Sequence, residues 1–149
     1  MGISMEPKIW VFFYGAYINF SVLREIDLIP EEYRVATLSG FRLNIAPSAT
    51  LSREPGSTVW GIIATATHEE LRRLYVEHAK IFLGGDYFPR AVTVTDTNDN
   101  IIPALCYICD DMKPVPAKAD YLEQIARPAE EYGFPREYVK MIRDFGPSS

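Results

Sequence analysis

Four residues, Tyr14-Gly15-Ala16-Tyr17, stand where a dense apolar run gives way to a polar stretch. A strand that ends on glycine just before a helix leaves backbone N–H groups free, and glycine lets a ligand approach closely. A carboxylate suits such a place; the competing reading is a turn that needs glycine only for its geometry. A second group lies on a helix running from Thr67 to about Leu83. At helical spacing Leu71, Leu74, Tyr75, His78 and Phe82 share one face. His78 is then either a general base facing a pocket or a hydrogen-bonded core imidazole. Glu77 falls about a third of a turn away, towards the polar side, as a solvated helix carboxylate unless local geometry turns it inward. Cys106 and Cys109 sit three apart on a strand, on opposite faces and about 10 Å from each other, too far for a disulfide. Only His68 and His78 offer imidazoles to a metal site built on them, so two small apolar thiols in a core strand is the better reading. Gly84-Gly85 lacks the Gly-Lys-Ser/Thr ending of a phosphate loop, and no local nucleophile triad is present.

These residues need elements to hold them. Lys8 to Tyr14 (KIWVFFY) has no polar alternation, which suits a strand covered on both faces. Asn19 caps a short helix through Ile26, before Pro30. Val35 to Ala46 reads as a strand bent at Gly40, and Ala49 to Arg53 as a short strand. Glu54-Pro55-Gly56-Ser57 reads as a turn before a further strand, Thr58 to Ala66. Thr67 and Glu70 form a capping box that opens the helix, and Gly84-Gly85 closes it. Tyr87 to Thr95 and Ile101 to Cys109 form a hairpin around Asp96–Asn100. Pro114 and Pro116 mark a break. Lys118 to Tyr132 is a helix interrupted at Arg127-Pro128, and Pro135 opens a last helix through Phe145. The order of elements is α+β, with at least five strands in a curved or barrel-like sheet.

The chain has 149 residues, about one domain, which we place at 1–149 with a core at about 8–145. The first seven and last four residues read as loose ends. Its 15 Lys and Arg against 20 Asp and Glu give a formal charge of −5, which argues against a generic nucleic-acid binder and against a polybasic membrane segment. No apolar run is long enough to span a bilayer and no secretory h-region is visible, so a cytoplasmic domain is expected. The unusual number is 13% aromatic residues, nine Tyr, eight Phe and two Trp.

In this order the motifs resemble the gamma-glutamylcyclotransferase superfamily. Phe12-Phe13-Tyr14-Gly15-Ala16-Tyr17 stands where that family ends a strand in Tyr-Gly-Ser-Asn or Tyr-Gly-Thr-Leu. Val59-Trp60-Gly61-Ile62-Ile63 is similar to its Val-x-Gly-x-Val/Leu strand, Leu71-Arg72-Arg73-Leu74 to its helix start, and Tyr87-Phe88-Pro89-Arg90 to its Tyr-x-x-Arg strand. Cys106-Tyr107 is similar to a strand carrying a Tyr. Tyr121-Leu122-Glu123-Gln124-Ile125 and Gly133-Phe134-Pro135-Arg136-Glu137-Tyr138 resemble its Tyr-x-x-x-Ile and Gly-Leu-Pro-x-x-Tyr ending. The likeness covers about residues 9 to 143.

The resemblance implies a small mixed β-barrel flanked by helices, with a pocket at the Tyr-Gly loop. It implies a reaction in which the α-amine of a γ-glutamyl group attacks its own γ-carbonyl, closing 5-oxoproline and releasing an amine. No cofactor or metal is implied, because folding the substrate supplies proximity. Tyr14, Gly15, Ala16 and Tyr17 would form the loop; Tyr75, Tyr87 and Tyr107 would be walls. The departure lies at the proton shuttle. Where the family has Leu-Asp-x-x-Glu-Gly, counting from Leu74 gives Tyr75 at the Asp position, His78 at the Glu position and then Ala79. Glu77 falls one residue early. Three expectations follow: His78 is the base, or a local bulge turns Glu77 inward, or the site binds a small molecule without the cyclisation. An interaction protein using surface aromatics is a weaker expectation. The partner is a small γ-glutamyl compound, with no nucleic acid and no membrane; the sequence sets no oligomeric state.

Overall fold

The computed structural model describes residues 7–113 and 115–146. Most of the expected loose ends, and Pro114, therefore lie outside the described residues. Five strands close a barrel in the order β1-β3-β2-β4-β5. β1 (Ile9–Phe13) lies antiparallel to β3 (Ala49–Ala66) and parallel to β5 (Ile101–Ile108). β2 (Tyr33–Ile45) pairs with β3 and with β4 (Phe88–Asp96), and β4 pairs with β5, all antiparallel. The fold is α+β, as the sequence predicts. In β1, Val11, Phe12 and Phe13 are buried on both faces, and the strand has a paired neighbour on either side.

Two sequence expectations change. Glu54–Ser57 does not separate two strands; β3 runs through it. Ser39 pairs with Thr58 and Phe41 with Arg53, so four residues of β3 oppose the single Gly40. The turn residues are an outward excursion within one bent strand, with Gly40 and Gly56 at φ +85° and +89°. The helix α4 (Ala119–Glu131) is likewise not interrupted at Pro128. Proline cannot donate to the carbonyl four residues back. Here the Asn19 side-chain amide donates to that carbonyl, Gln124 O, at 3.1 Å. Asn19 also accepts from the Ser21 N–H at 3.0 Å, capping α1 (Phe20–Arg24). One side chain thus opens one helix and seals another. The last helix, α5 (Arg136–Asp144), packs on α4.

The helix after β3 is one continuous rod in three parts: α2 (His68–Leu71), a π-helical segment (Arg72–His78) and α3 (Ala79–Phe82). The Thr67–Glu70 capping box opens it, with both reciprocal bonds present. In the middle the Ala79 N–H donates to Leu74 O, five residues back. A π segment inserts one residue and so turns everything after it about the rod axis. Leu71, Leu74 and Tyr75 remain buried, whereas Phe82, expected on the same stripe, is 67% exposed.

Candidate functional site

At the end of β1 the chain makes a single 3-10 turn, Ala16–Ile18. Gly15 precedes it because a Cβ there would collide with the Ala49 methyl on β3. Close approach of two strands, rather than a positive φ, demands the glycine.

Around this loop the structure gathers the expected tyrosines. Tyr14, Gly15, Ala16 and Tyr17 line a cavity together with Tyr75 and Tyr87. Tyr107 stands behind them: its ring stacks on Tyr75 at 3.9 Å and 7°, and its carbonyl accepts from Tyr14 Oη at 2.6 Å. Sequence reasoning missed Ala49, Leu83 and Tyr121 as cavity walls. Tyr121 accepts the Ala49 N–H at 2.9 Å, and Tyr87 donates to the Ala49 carbonyl at 2.6 Å, so the two phenols bracket the backbone of one residue.

The space between these rings is about 20 Å³, room for one water molecule. No carboxylate and no imidazole lines it among the described residues. Burial raises the pKa of Tyr14, Tyr17, Tyr75 and Tyr87, and pushes Tyr121 up to about 12. All five stay neutral at physiological pH, since removal from water penalises the phenolate. They can donate hydrogen bonds but cannot serve as bases.

The ionisable groups lie just outside, in a cleft of about 270 Å³ that shares Ala16, Tyr17, Leu83 and Tyr121 with the cavity. His78 and Glu25 face each other there, with Nε2 and Oε2 3.6 Å apart. On the other side of the ring, Nδ1 is 2.9 Å from Tyr17 Oη. If Tyr17 donates to Nδ1, the imidazole proton sits on Nε2 and points at the Glu25 carboxylate. At 3.6 Å that approach is a charge contact and is longer than a hydrogen bond. His78 keeps a side-chain exposure of 10%, whereas Glu25 is 64% exposed.

Glu77 is not brought to this site. Its side chain is 55% exposed and pairs with Arg72 at 2.8 Å. The pairing spans five residues, the spacing that the π segment aligns along the rod. Arg72 also pairs with Glu69 at 2.8 Å. The bulge therefore does not turn Glu77 inward, and the residue stays on the exposed side in an ion pair.

Residues 58–142 match the sequence model of the AIG2-like family. The chain belongs to the AIG2-like family. No curated protein matches the chain significantly. Among solved structures, this AIG2-like chain is similar to one named gamma-glutamyl cyclotransferase, with TM-score 0.77 and 22% identity over 96% of this chain and 90% of that one. It is also similar to an uncharacterised protein from Homo sapiens, with TM-score 0.78 and 21% identity over 97% and 91%. A yeast gamma-glutamyl cyclotransferase specific to glutathione follows, with TM-score 0.63 and 12% identity over 93% and 95%. At these identities the likeness establishes the gamma-glutamylcyclotransferase-like fold. Among the described residues no helix is long and apolar enough to cross a membrane.

Sequence reasoning also missed Glu25 altogether. The only available signal was position: α1 follows the Tyr-Gly loop directly, so its last turn must end beside the loop.

Proposed function

We propose that this AIG2-like chain is a gamma-glutamylcyclotransferase-like enzyme that cyclises a small γ-glutamyl compound to 5-oxoproline in the cytoplasm, without a cofactor. The proton is carried by the Glu25–His78 pair rather than by a carboxylate on the rod. The observation behind this reading is the 3.6 Å approach of those two side chains in the cleft bounded by Ala16 and Tyr17. The substrate α-ammonium binds against Glu25, where opposite charge attracts it. The pair accepts one ammonium proton, and the freed nitrogen lone pair attacks the γ-carbonyl carbon. A C–N bond forms while the carbonyl π pair moves onto oxygen. The pair returns that proton to the departing nitrogen as the old C–N bond breaks and the carbonyl reforms; the ring nitrogen sheds its surplus proton by the same route, so that the lactam keeps one N–H and the amine leaves as an ammonium. Protons balance over the cycle, so no oxidant, reductant or metal enters. The α-amine and γ-carbonyl belong to one molecule, which supplies the proximity.

Incubation with a panel of γ-glutamyl amines and peptides, with 5-oxoproline as readout, tests the reading. Glu25→Gln and His78→Gln should each lower kcat about 100-fold or more, with Glu77→Gln unchanged. Absence of 5-oxoproline across the panel would overturn it. The second reading, a binding module without turnover, is favoured by the 20 Å³ cavity that no acid lines. Saturable binding of a γ-glutamyl compound with no product formed would support it.

A further inference from the structure

β2 and β4 stop pairing almost as soon as they meet. Their ladder sets Ala36 against Asp96 and Thr37 against Thr95 and ends there. β2 runs on to Ile45 beside β3, and β4 runs back to Phe88 beside β5. Two features keep the strands apart. The bulge at Gly40 bends β2, and Pro89 withdraws an N–H from β4. From Phe88 to Val94, β4 therefore shows an edge with no partner strand among the described residues. Such an edge is a template for a further strand.

The gap holds a groove of about 300 Å³, lined by Phe41, Asn44 and Arg53 on the β2–β3 arm and by Arg90, Asp110 and Met112 across from them. It shares no residue with the tyrosine cavity or the Glu25–His78 cleft. Along β4, Phe88, Arg90, Val92 and Val94 share one face. Val94 is buried, Val92 half-buried and Phe88 64% exposed, so this face opens towards the groove. The cations beside it are weakly committed. Arg53 lies over the Phe41 ring at 5.7 Å and has no ion pair among the described residues. Arg90 pairs at 2.8 Å with the exposed Asp110, and such surface pairs contribute little. In a chain of formal charge −5 this is a cationic edge, and it favours an anionic occupant. A second copy of the chain would bring another Pro89 and Arg90 to the edge, which interrupt the ladder and repel.

We propose that the β4 edge takes up, as an added strand, an extended segment of a partner protein with the pattern apolar-x-Asp/Glu-x-apolar. In an antiparallel alignment the three spaced residues stand opposite Val92, Arg90 and Phe88 in turn. The acid meets Arg90, with Arg53 across the groove, and the two apolar side chains cover Val92 and Phe88. Backbone hydrogen bonds to the open edge supply affinity, and the alternate side chains fix the register.

The probe is the peptide Thr-Leu-Thr-Glu-Thr-Leu-Thr, amidated and carrying an N-terminal fluorescein, titrated with the whole chain and read by anisotropy. It should bind saturably, and Lys in place of its Glu should weaken binding at least about tenfold. Arg90→Glu should reverse that preference, a gain for the Lys peptide that loss of folding cannot produce. Methylating the backbone nitrogens of either the four Thr or the Leu-Glu-Leu set separates strand addition from side-chain capture. Alternate N–H groups of a strand point to opposite sides, so only one set faces β4. One methylated peptide should lose at least about tenfold and the other less than about threefold. No saturable binding, equal binding of the Glu and Lys peptides, an unreversed preference in Arg90→Glu, or equal effects of the two methylations overturns the proposal.

Discussion

Tyr75 is the side chain on which the closed state of the cavity depends, and three substitutions separate what its ring and its hydroxyl contribute. The residue is 6% exposed. Its ring stacks on Tyr107, meets Tyr17 edge-on at 5.5 Å and lies 5.9 Å from Tyr87. Its hydroxyl has no hydrogen-bond partner in the protein among the described residues. Tyr75→Phe should therefore change stability by no more than about 0.5 kcal/mol. The same change at Tyr87 strips the buried Ala49 carbonyl of its 2.6 Å donor, and should cost about 1–3 kcal/mol. Tyr75→Ala removes the ring. About 100 Å³ of new cavity at roughly 24 cal/mol per Å³ gives about 2.4 kcal/mol. Lost transfer energy of about 1.5 kcal/mol and lost stacking of about 1 kcal/mol bring the total near 5 kcal/mol. Urea unfolding of the wild type and the three variants, with m values held constant, measures these differences. In the Ala variant p-cresol should refill the space, returning about 1.4 kcal/mol at ten times its Kd. A loss above about 1.5 kcal/mol in Tyr75→Phe would show that the hydroxyl is tied to the protein. A loss below about 1 kcal/mol in Tyr75→Ala would show that the ring does not fill the cavity.

Asn19→Ala should cost about 2 kcal/mol, one part for the α1 cap and one for the orphaned Gln124 carbonyl; Asn19→Asp, which keeps the acceptor but not the donor, should lose about half, and equal losses in a urea titration would refute the dual role. Asp96 accepts from the Asn100 side chain, from the Asn98 and Asn100 N–H groups and from Arg34, and these bonds hold its carboxyl down at about 2. Because that lies below the unfolded value of about 3.9, its contribution is complete above that value and is lost as pH falls through about 2; Asp96→Asn should flatten the stability–pH curve between those limits, and an unchanged curve would count against the network. Burial pushes the Cys106 thiol up to about 12, leaving about one thiolate in ten thousand at pH 8. Native protein should therefore release almost no chromophore from an aromatic disulfide reagent, with Cys106 slower than Cys109; prompt reaction at Cys106 would show that the strand opens.

How much of this was legible in the chain depends on the range of the interaction. The Thr67–Glu70 box, the Asn19 cap and the doubly covered β1 are written in residues a few positions apart, and each stands where spacing predicts it. The π segment left no such mark. Arg72–His78 contains neither proline nor glycine, and a 3.6-residue period cannot reveal an inserted residue. The exposed Phe82 could be seen only once the Leu74–Ala79 bond was known, whereas the outward Glu77 agrees with its place towards the polar side of the helix. Pro128 misled for a related reason. A proline breaks a helix by orphaning a carbonyl, and the donor that repairs it comes from 105 residues away. The tyrosine walls were reached through family motifs, whereas Glu25 meets His78 only because α1 and the rod flank the same loop.

That last pairing bears on where a carboxylate can sit beside this loop. Tyr17 and Tyr75 stand where the resemblance places a small amide and a carboxylate. Their rings fill the inner cavity and leave no room there for a solvated charge. A carboxylate among five neutral phenols would pay heavily for desolvation with no cation to offset it. The outer cleft is cheaper ground, because Glu25 stays largely in water while the largely buried His78 reaches it. Aromatic filling inside therefore goes with a carboxylate outside. Tyr75→Asp should therefore destabilise the fold, for it removes the ring that fills the cavity and buries a carboxylate with no cation beside it.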